Sequence, residues 1–172
     1  MKNRLNALEV ALANEMKEHE FYLKNAGRTR NPAGKAMFQQ IAAEELEHHE
    51  RLKQLSETWS KRQKWPETVP LKVKETKVSS ILKDMVKKAS EMPKGDADDL
   101  KAVQTAIDFE ANGAVYYAKL RDDCTDAGEK AFFNLLADIE HEHYVSLKDA
   151  EELMTDPVSW YRKRDRAGLD GA

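Results

Sequence analysis

The chain has 172 residues, of which 34% are charged and 41% are hydrophobic, and its formal net charge at pH 7 is −3. This length suits one domain with a sizeable core. The slight excess of acidic residues argues against nucleic acid as a partner. Only 7 Gly and 5 Pro occur, so the composition favours a mostly helical, all-α protein.

No apolar run in the sequence is long enough to cross a membrane. The first sixteen residues contain Asn and Glu and lack the uninterrupted apolar core of a signal peptide. We therefore expect a cytoplasmic protein without a membrane partner. The single cysteine, Cys124, excludes an internal disulfide and a thiolate metal cage, and we interpret it as a reduced thiol.

The first predicted element is a helical hairpin whose turn spans Arg28–Gly34, with its Asn, Pro and Gly residues. Both helices carry an apolar stripe, meaning inward-facing positions spaced three and four residues apart. Near its middle each stripe is interrupted by Glu and His. The stripes are Leu8, Leu12, Glu15, His19, Tyr22 and Phe38, Ile41, Glu45, His48, Leu52, Leu55.

A long connector follows, roughly Trp59 to Asp99. It holds a short helix-like segment, Val78 to Glu91, and then Pro93-Lys94-Gly95-Asp96. A connector of this length can run along a whole bundle, so the helices on either side of it can be parallel.

The second hairpin has its predicted turn at Asp122–Gly128, and Thr155-Asp156-Pro157 ends its second helix. We expect a bundle domain at residues 1–153 and a C-terminal tail at residues 154–172. The tail carries Trp160 and should pack on the bundle or on a neighbouring subunit. The stripes of this hairpin are Val103, Ile107, Glu110, Ala114, Tyr117 and Phe133, Leu136, Glu140, His143, Leu147, Ala150.

The two hairpins are copies of one repeat. Residues 15–53 align without a gap on residues 110–148, an offset of 95, with roughly a third of the positions identical. Glu45-x-x-His48 aligns with Glu140-x-x-His143. The repeat predicts a four-helix bundle of two hairpins related by a pseudo-twofold axis.

Charged groups therefore occupy inward positions in all four helices. A buried carboxylate is strongly unfavourable unless it is paired or binds a metal, and four together repel one another. Two metal ions would solve both problems, and carboxylate with imidazole suits iron, with manganese and zinc as alternatives. The simplest scheme has two end pairs and two bridging residues: Glu15 with His48, Glu110 with His143, and Glu45 and Glu140 between the metals.

With these motifs the chain resembles the rubrerythrin and ferritin-like di-iron carboxylate superfamily over about residues 1–153. The resemblance implies a ferritin-like bundle with one long crossover and a pair of iron ions that cycle between reduced and oxidised states. It also implies one of three activities: reduction of hydrogen peroxide, oxidation of ferrous iron, or activation of oxygen.

The sequence departs from the rubrerythrin pattern at two places. A rubredoxin domain would show two Cys-x-x-Cys pairs, and the chain has one cysteine. Electrons should then come from a separate donor, a rubredoxin-like protein or a flavoprotein reductase. Rubrerythrins also carry an extra Glu at the position of Gly113 here, whereas the twofold-related position in the first helix is Glu18. Glu18 either supplies a seventh carboxylate or faces solvent.

Other polar stripe residues have supporting roles. We interpret Tyr22 and Tyr117 as core residues whose hydroxyls hydrogen-bond to ligating carboxylates and orient them. His19 should pack or support the site rather than bind metal, whereas His49 and His141 lie off the stripe and should face solvent.

The hypothesis drawn from the sequence is a di-iron oxidoreductase that reduces hydrogen peroxide and forms a homodimer. Three alternatives remain. The first is a ferroxidase or iron-storage protein, and storage would need a hollow shell of many subunits. The second is an oxygen-activating di-iron protein. The third is a metal-stabilised bundle with an interaction role and no turnover.

Overall fold

A computed structural model describes residues 2–62, 77–85 and 93–169 of the chain. These residues form helices and no strand, and none of the helices is long and apolar enough to cross a membrane. The prediction of an all-α, ferritin-like bundle is confirmed. The helices are α1 (Lys2–Arg28), α2 (Pro32–Arg62), α3 (Val78–Met85), α4 (Ala97–Asp123), α5 (Ala127–Thr155) and α6 (Pro157–Leu169).

Short polar side chains begin the helices. Asn31 Oδ1 accepts from the Gly34 N–H at 2.9 Å, just before α2. The carboxylates of Asp96 and Asp126 accept backbone N–H bonds in the first turns of α4 and α5. Each bond satisfies a donor that the helix leaves unpaired at its start. The two hairpin turns lie where the sequence predicted them.

The four long helices run in the directions that the long crossover predicted. Tyr22 on α1 contacts Glu110 on α4, whereas Ala7, far earlier on α1, accepts a bond from Tyr116, later on α4. Residue numbers therefore rise along α1 in the direction in which they fall along α4, so these two helices are antiparallel. Because α1 is also antiparallel to its hairpin partner α2, helices α2 and α4 are parallel.

Apolar side chains fill the bundle in two clusters, one on each side of a polar layer. One cluster includes Tyr22, Phe38 and Val103, and the other includes Leu52 and Phe133. Each apolar stripe crosses from one cluster to the other and is polar only between them. Burial of the stripes drives helix association, and it also forces the middle residues out of water.

The crossover is shorter than predicted. Helix α2 continues through Trp59 and ends at Arg62, and α4 begins at Ala97, two residues before Asp99. At the start of the crossover, α2 continues because Ser60, Lys61 and Arg62 include no Gly or Pro that would end a helix. The predicted short helix is present as α3, and its expected continuation at residues 86–91 lies outside the described residues.

The tail is helical and packs on the bundle. Trp160 on α6 is 1% exposed, belongs to the same cluster as Phe38, and donates from Nε1 to Asp149 Oδ1 at 2.9 Å. This is one of the two locations expected for it. The division into residues 1–153 and 154–172 stays a prediction.

If α6 is an integral part of the core, Trp160→Ala should lower the free energy of unfolding by about 3–5 kcal/mol, the usual cost of removing a buried aromatic side chain. Val158→Ala, on the same helix but 42% exposed, should change it by less than about 0.5 kcal/mol. Urea unfolding followed by circular dichroism measures both. Equal, small effects would mean that α6 contributes nothing to the core.

Candidate metal centre

The polar layer consists of the six residues that the sequence proposed as ligands. All six side chains are fully buried, and none exceeds 1% exposure: Glu15, Glu45, His48, Glu110, Glu140 and His143. They come from four helices, one Glu each from α1 and α4 and one Glu-x-x-His pair each from α2 and α5. The bundle thus places two imidazoles and four carboxylates in one small volume.

These residues form two overlapping groups. Glu15 and His48 share one group with Glu45 and Glu140, and Glu110 and His143 share the other with the same two glutamates. Within each group the potential ligand atoms lie within 4.8 Å of one another. A cluster of this kind fits a di-metal site in which Glu45 and Glu140 are common to both positions. The role of each residue as a ligand stays a prediction.

Both imidazoles point the same nitrogen at the carboxylates. His48 Nδ1 lies 3.1 Å from Glu15 Oε2 and 3.1 Å from Glu45 Oε2. His143 Nδ1 lies 3.2 Å from Glu45 Oε1 and 3.3 Å from Glu110 Oε2. The Nδ1 atoms are therefore the imidazole atoms available to a metal ion.

Without a cation the layer holds protons instead. Burial raises the pKa of Glu15 to about 7, although its hydrogen bond with His48 acts in the opposite direction. Burial, followed by the charges of Glu110 and Glu45, raises the pKa of Glu140 well above its usual value. Burial alone would lower the pKa of His48, but Glu45 and Glu15 outweigh it and raise the value to about 10. The layer therefore has a strong need for positive charge.

Glu140 shows most directly that the layer suits metal ions. Its two carboxylate oxygens are buried, and neither has a hydrogen-bond partner among the described residues. Its carboxylate lies against Gly113, where a Cβ atom would stand 3.0 Å from Glu140 Oε2. Position 113 thus leaves room for the Glu140 side chain, and a cation would satisfy oxygens that the protein does not.

The two stripe tyrosines lie beside the cluster, and each donates across the bundle. Tyr22 on α1 donates to Glu110 Oε1 on α4, and Tyr117 on α4 donates to Glu15 Oε1 on α1. Both rings are fully buried. Each phenol leaves the other oxygen of its carboxylate facing a histidine, so it fixes the orientation of a proposed ligand.

Glu18 is half-buried and sits at the edge of the same layer. Burial, followed by the charges of Glu45, Glu110 and Glu15, raises its pKa to about 10. Its side chain lines a cavity between α1 and α4 together with Glu15. Glu18 belongs to neither of the two four-residue groups, so its ligation stays a prediction.

The remaining histidines hold helices together or face solvent. His19 Nδ1 lies 2.5 Å from the Ala42 carbonyl oxygen and therefore has a packing role. His49, expected to face solvent, is half-buried, with Nδ1 3.0 Å from the Leu12 carbonyl oxygen. That expectation was wrong because α1 covers part of this α2 face. His141 is exposed and stacks on Tyr144.

Glu44 contacts the site although no sequence motif indicated it. Its Oε2 lies 2.6 Å from His143 Nε2, the imidazole nitrogen that faces away from the cluster. Glu44 follows Ile41 by three residues and precedes His48 by four, so it lies at the edge of the α2 stripe beside Glu45. Only the packing of α2 against α5 brings it to His143.

The protonated layer predicts how the stability of the metal-free protein depends on pH. In the unfolded chain, Glu15 loses its proton near 4.5 and His48 near 6.5, whereas the folded values are about 7 and about 10. The folded state binds more protons throughout this window, so its stability should fall as the pH rises from about 4.5 to about 10.

Thermal unfolding of chelator-treated protein between about pH 5 and pH 9 tests this expectation. The same protein with two equivalents of Mn²⁺ is the control, because metal binding strengthens as its ligands lose protons. The gap between the two melting temperatures should widen with pH. A metal-free melting temperature that is constant or rises over this range would contradict the protonated layer.

Comparison with known proteins agrees with this geometry. No curated protein and no solved structure matches the chain. The family model described as Rubrerythrin matches residues 6–151, which include all six residues of the polar layer and well over half of the chain. The chain therefore belongs to the rubrerythrin family.

Proposed function

We propose that this protein is a di-iron oxidoreductase that reduces hydrogen peroxide to water with electrons from a separate donor. The observation that carries the proposal is the buried layer of two overlapping groups that share Glu45 and Glu140, with Glu18 beside it as an additional carboxyl group. Family membership supports the di-iron chemistry. The choice of peroxide rests on the extra carboxyl group and on the cavity beside it.

The ligand set suits two iron ions in charge as well as in geometry. Glu15 and His48 would hold one ion, Glu110 and His143 the other, and Glu45 and Glu140 would serve both. Two ferrous ions would supply the two electrons that convert one hydrogen peroxide, with two protons, into two water molecules. Four carboxylates carry four negative charges, which balance two ferrous ions in a site that excludes water.

Glu18 supports the oxidised state of such a pair. An oxidised iron pair would carry two more positive charges than a reduced pair, and the four inner carboxylates would already be balanced by the reduced pair. An additional carboxylate at the edge can offset part of that charge. In the metal-free state the same carboxyl holds a proton, since its pKa is raised to about 10.

A cavity of about 350 Å³ beside the layer gives room for a small oxidant. It opens between α1 and α4 and is lined by Glu15, Glu18, Gly113 and Tyr117, with Asn14, Lys17, Phe109, Asn112 and Tyr116 around them. Gly113 contributes no side chain to the α4 wall of this cavity, and Glu18 lines it from α1.

The two tyrosines would keep the ligands in register during turnover. Tyr22 donates to one oxygen of Glu110, and Tyr117 donates to one oxygen of Glu15. These bonds limit the rotation of the two carboxylates.

The proposal needs a separate electron donor, because one cysteine cannot build a rubredoxin-type iron site. We propose a rubredoxin-like protein or a flavoprotein reductase in this role and a homodimer as the working form.

The central test is stopped-flow oxidation of the reduced, iron-loaded protein by hydrogen peroxide and, separately, by oxygen. Peroxide should oxidise the iron faster than oxygen does at equal concentration, and metal analysis should give two iron ions per chain. An oxidation rate with oxygen equal to the rate with peroxide would contradict the proposed peroxidase activity. Size-exclusion chromatography adds a check, because a hollow shell of many subunits would favour iron storage.

Glu18→Gln tests the seventh carboxylate. The rate with peroxide should fall by about 10- to 100-fold, the usual effect of removing a group that supports a metal site, and the spectrum of the oxidised protein should change. Glu20→Gln, an exposed change on the same helix, should alter neither. If Glu18→Gln behaves like Glu20→Gln, Glu18 has no role at the site.

A further inference from the structure

The two halves of the polar layer are not equivalent, and Glu44 is where they differ. Glu44 Oε2 lies 2.6 Å from His143 Nε2, while Nδ1 of the same ring faces Glu45 and Glu110. The ring of His143 is thus held between a carboxylate outside the layer and the carboxylates within it.

The Glu44 side chain is itself fixed by other groups. Its Oε1 accepts from Gln40 Nε2 at 2.7 Å and from the backbone N–H of Lys77 at 2.9 Å. Lys77 directly precedes α3, so the crossover contributes to the position of this carboxylate. With one oxygen held by two donors, the other is aimed at His143 and has little freedom to turn away.

The related half of the bundle lacks this arrangement. The repeat offset of 95 places Ile139 at the position that corresponds to Glu44, and Ile139 is an apolar residue that is 3% exposed. The carboxylates that the described residues place near His48 are Glu15, Glu45 and Glu140, all of them within the layer. Within the part of the chain that the structure describes, the His48 ring has no carboxylate at the position that Glu44 occupies for His143.

We infer that Glu44 is a positioning residue that makes the two metal positions unequal, so that the position at His143 binds a divalent metal more tightly than the position at His48. A carboxylate that accepts the outer N–H of an imidazole fixes its tautomer and its orientation, and it makes the inner nitrogen a stronger donor. The inference rests on the proposed metal site and adds an order of loading: the position at His143 fills first.

Single-site variants test this inference. His48→Ala leaves the position at His143, and His143→Ala leaves the position at His48. Each variant is titrated with Co²⁺ by calorimetry and by visible absorption, without and with Glu44→Gln. Glu50→Gln, an exposed change on the same helix, is the matched control. Circular dichroism and thermal unfolding of each metal-free variant verify the fold.

The His48→Ala protein should bind Co²⁺ more tightly than the His143→Ala protein. Glu44→Gln should weaken binding by about 10- to 100-fold in the His48→Ala background and leave the His143→Ala background unchanged. Equal affinities in the two backgrounds, or an equal loss in both on Glu44→Gln, would overturn the inference. An equal loss would show that Glu44 acts through the stability of the bundle.

A second measurement uses the intact chain, in case a histidine variant does not fold. In the Co²⁺-loaded protein, the N–H proton of His143 should give a shifted proton resonance that exchanges slowly with water, and Glu44→Gln should accelerate that exchange. An unchanged exchange rate would overturn the inference. Neither measurement depends on peroxide turnover. A protein without peroxidase activity could therefore still show the unequal metal affinities, and the two proposals are tested separately.

Discussion

Four carboxylates buried in the middle of a helical bundle are the constraint on which the rest of this molecule depends. Glu15, Glu45, Glu110 and Glu140 are each at most 1% exposed, so protons or cations must supply most of the compensating charge. The apolar clusters on either side hold the four helices close enough to enforce this burial. Burial of these carboxylates costs stability in the metal-free protein, and a bound metal pair would offset that cost.

Much of the fold could be predicted from the sequence because two simple patterns determine it. Stripes with spacings of three and four residues identified the four long helices, and the offset of 95 residues related one hairpin to the other. Both signals are local or repetitive, so no knowledge of packing was needed. The same signals brought all six residues of the layer together, since a position inside a stripe fixes which way its side chain points.

What the sequence could not predict depends on contacts between helices. Glu44 lies at the edge of the stripe and reaches His143 because of how α2 packs on α5. His49 is covered by α1 for a similar reason. The Glu140 carboxylate lies against Gly113 of α4, where a side chain would crowd it. None of these relations has a fixed sequence spacing.

The crossed hydrogen bonds of the tyrosines have a consequence for the architecture as a whole. Tyr22 of the first hairpin serves Glu110 of the second, and Tyr117 of the second serves Glu15 of the first. Neither half-molecule contains a complete set of partners. A single hairpin with this sequence pattern could build the layer only by pairing with a second hairpin, and the two hairpins of this chain depend on each other in that way.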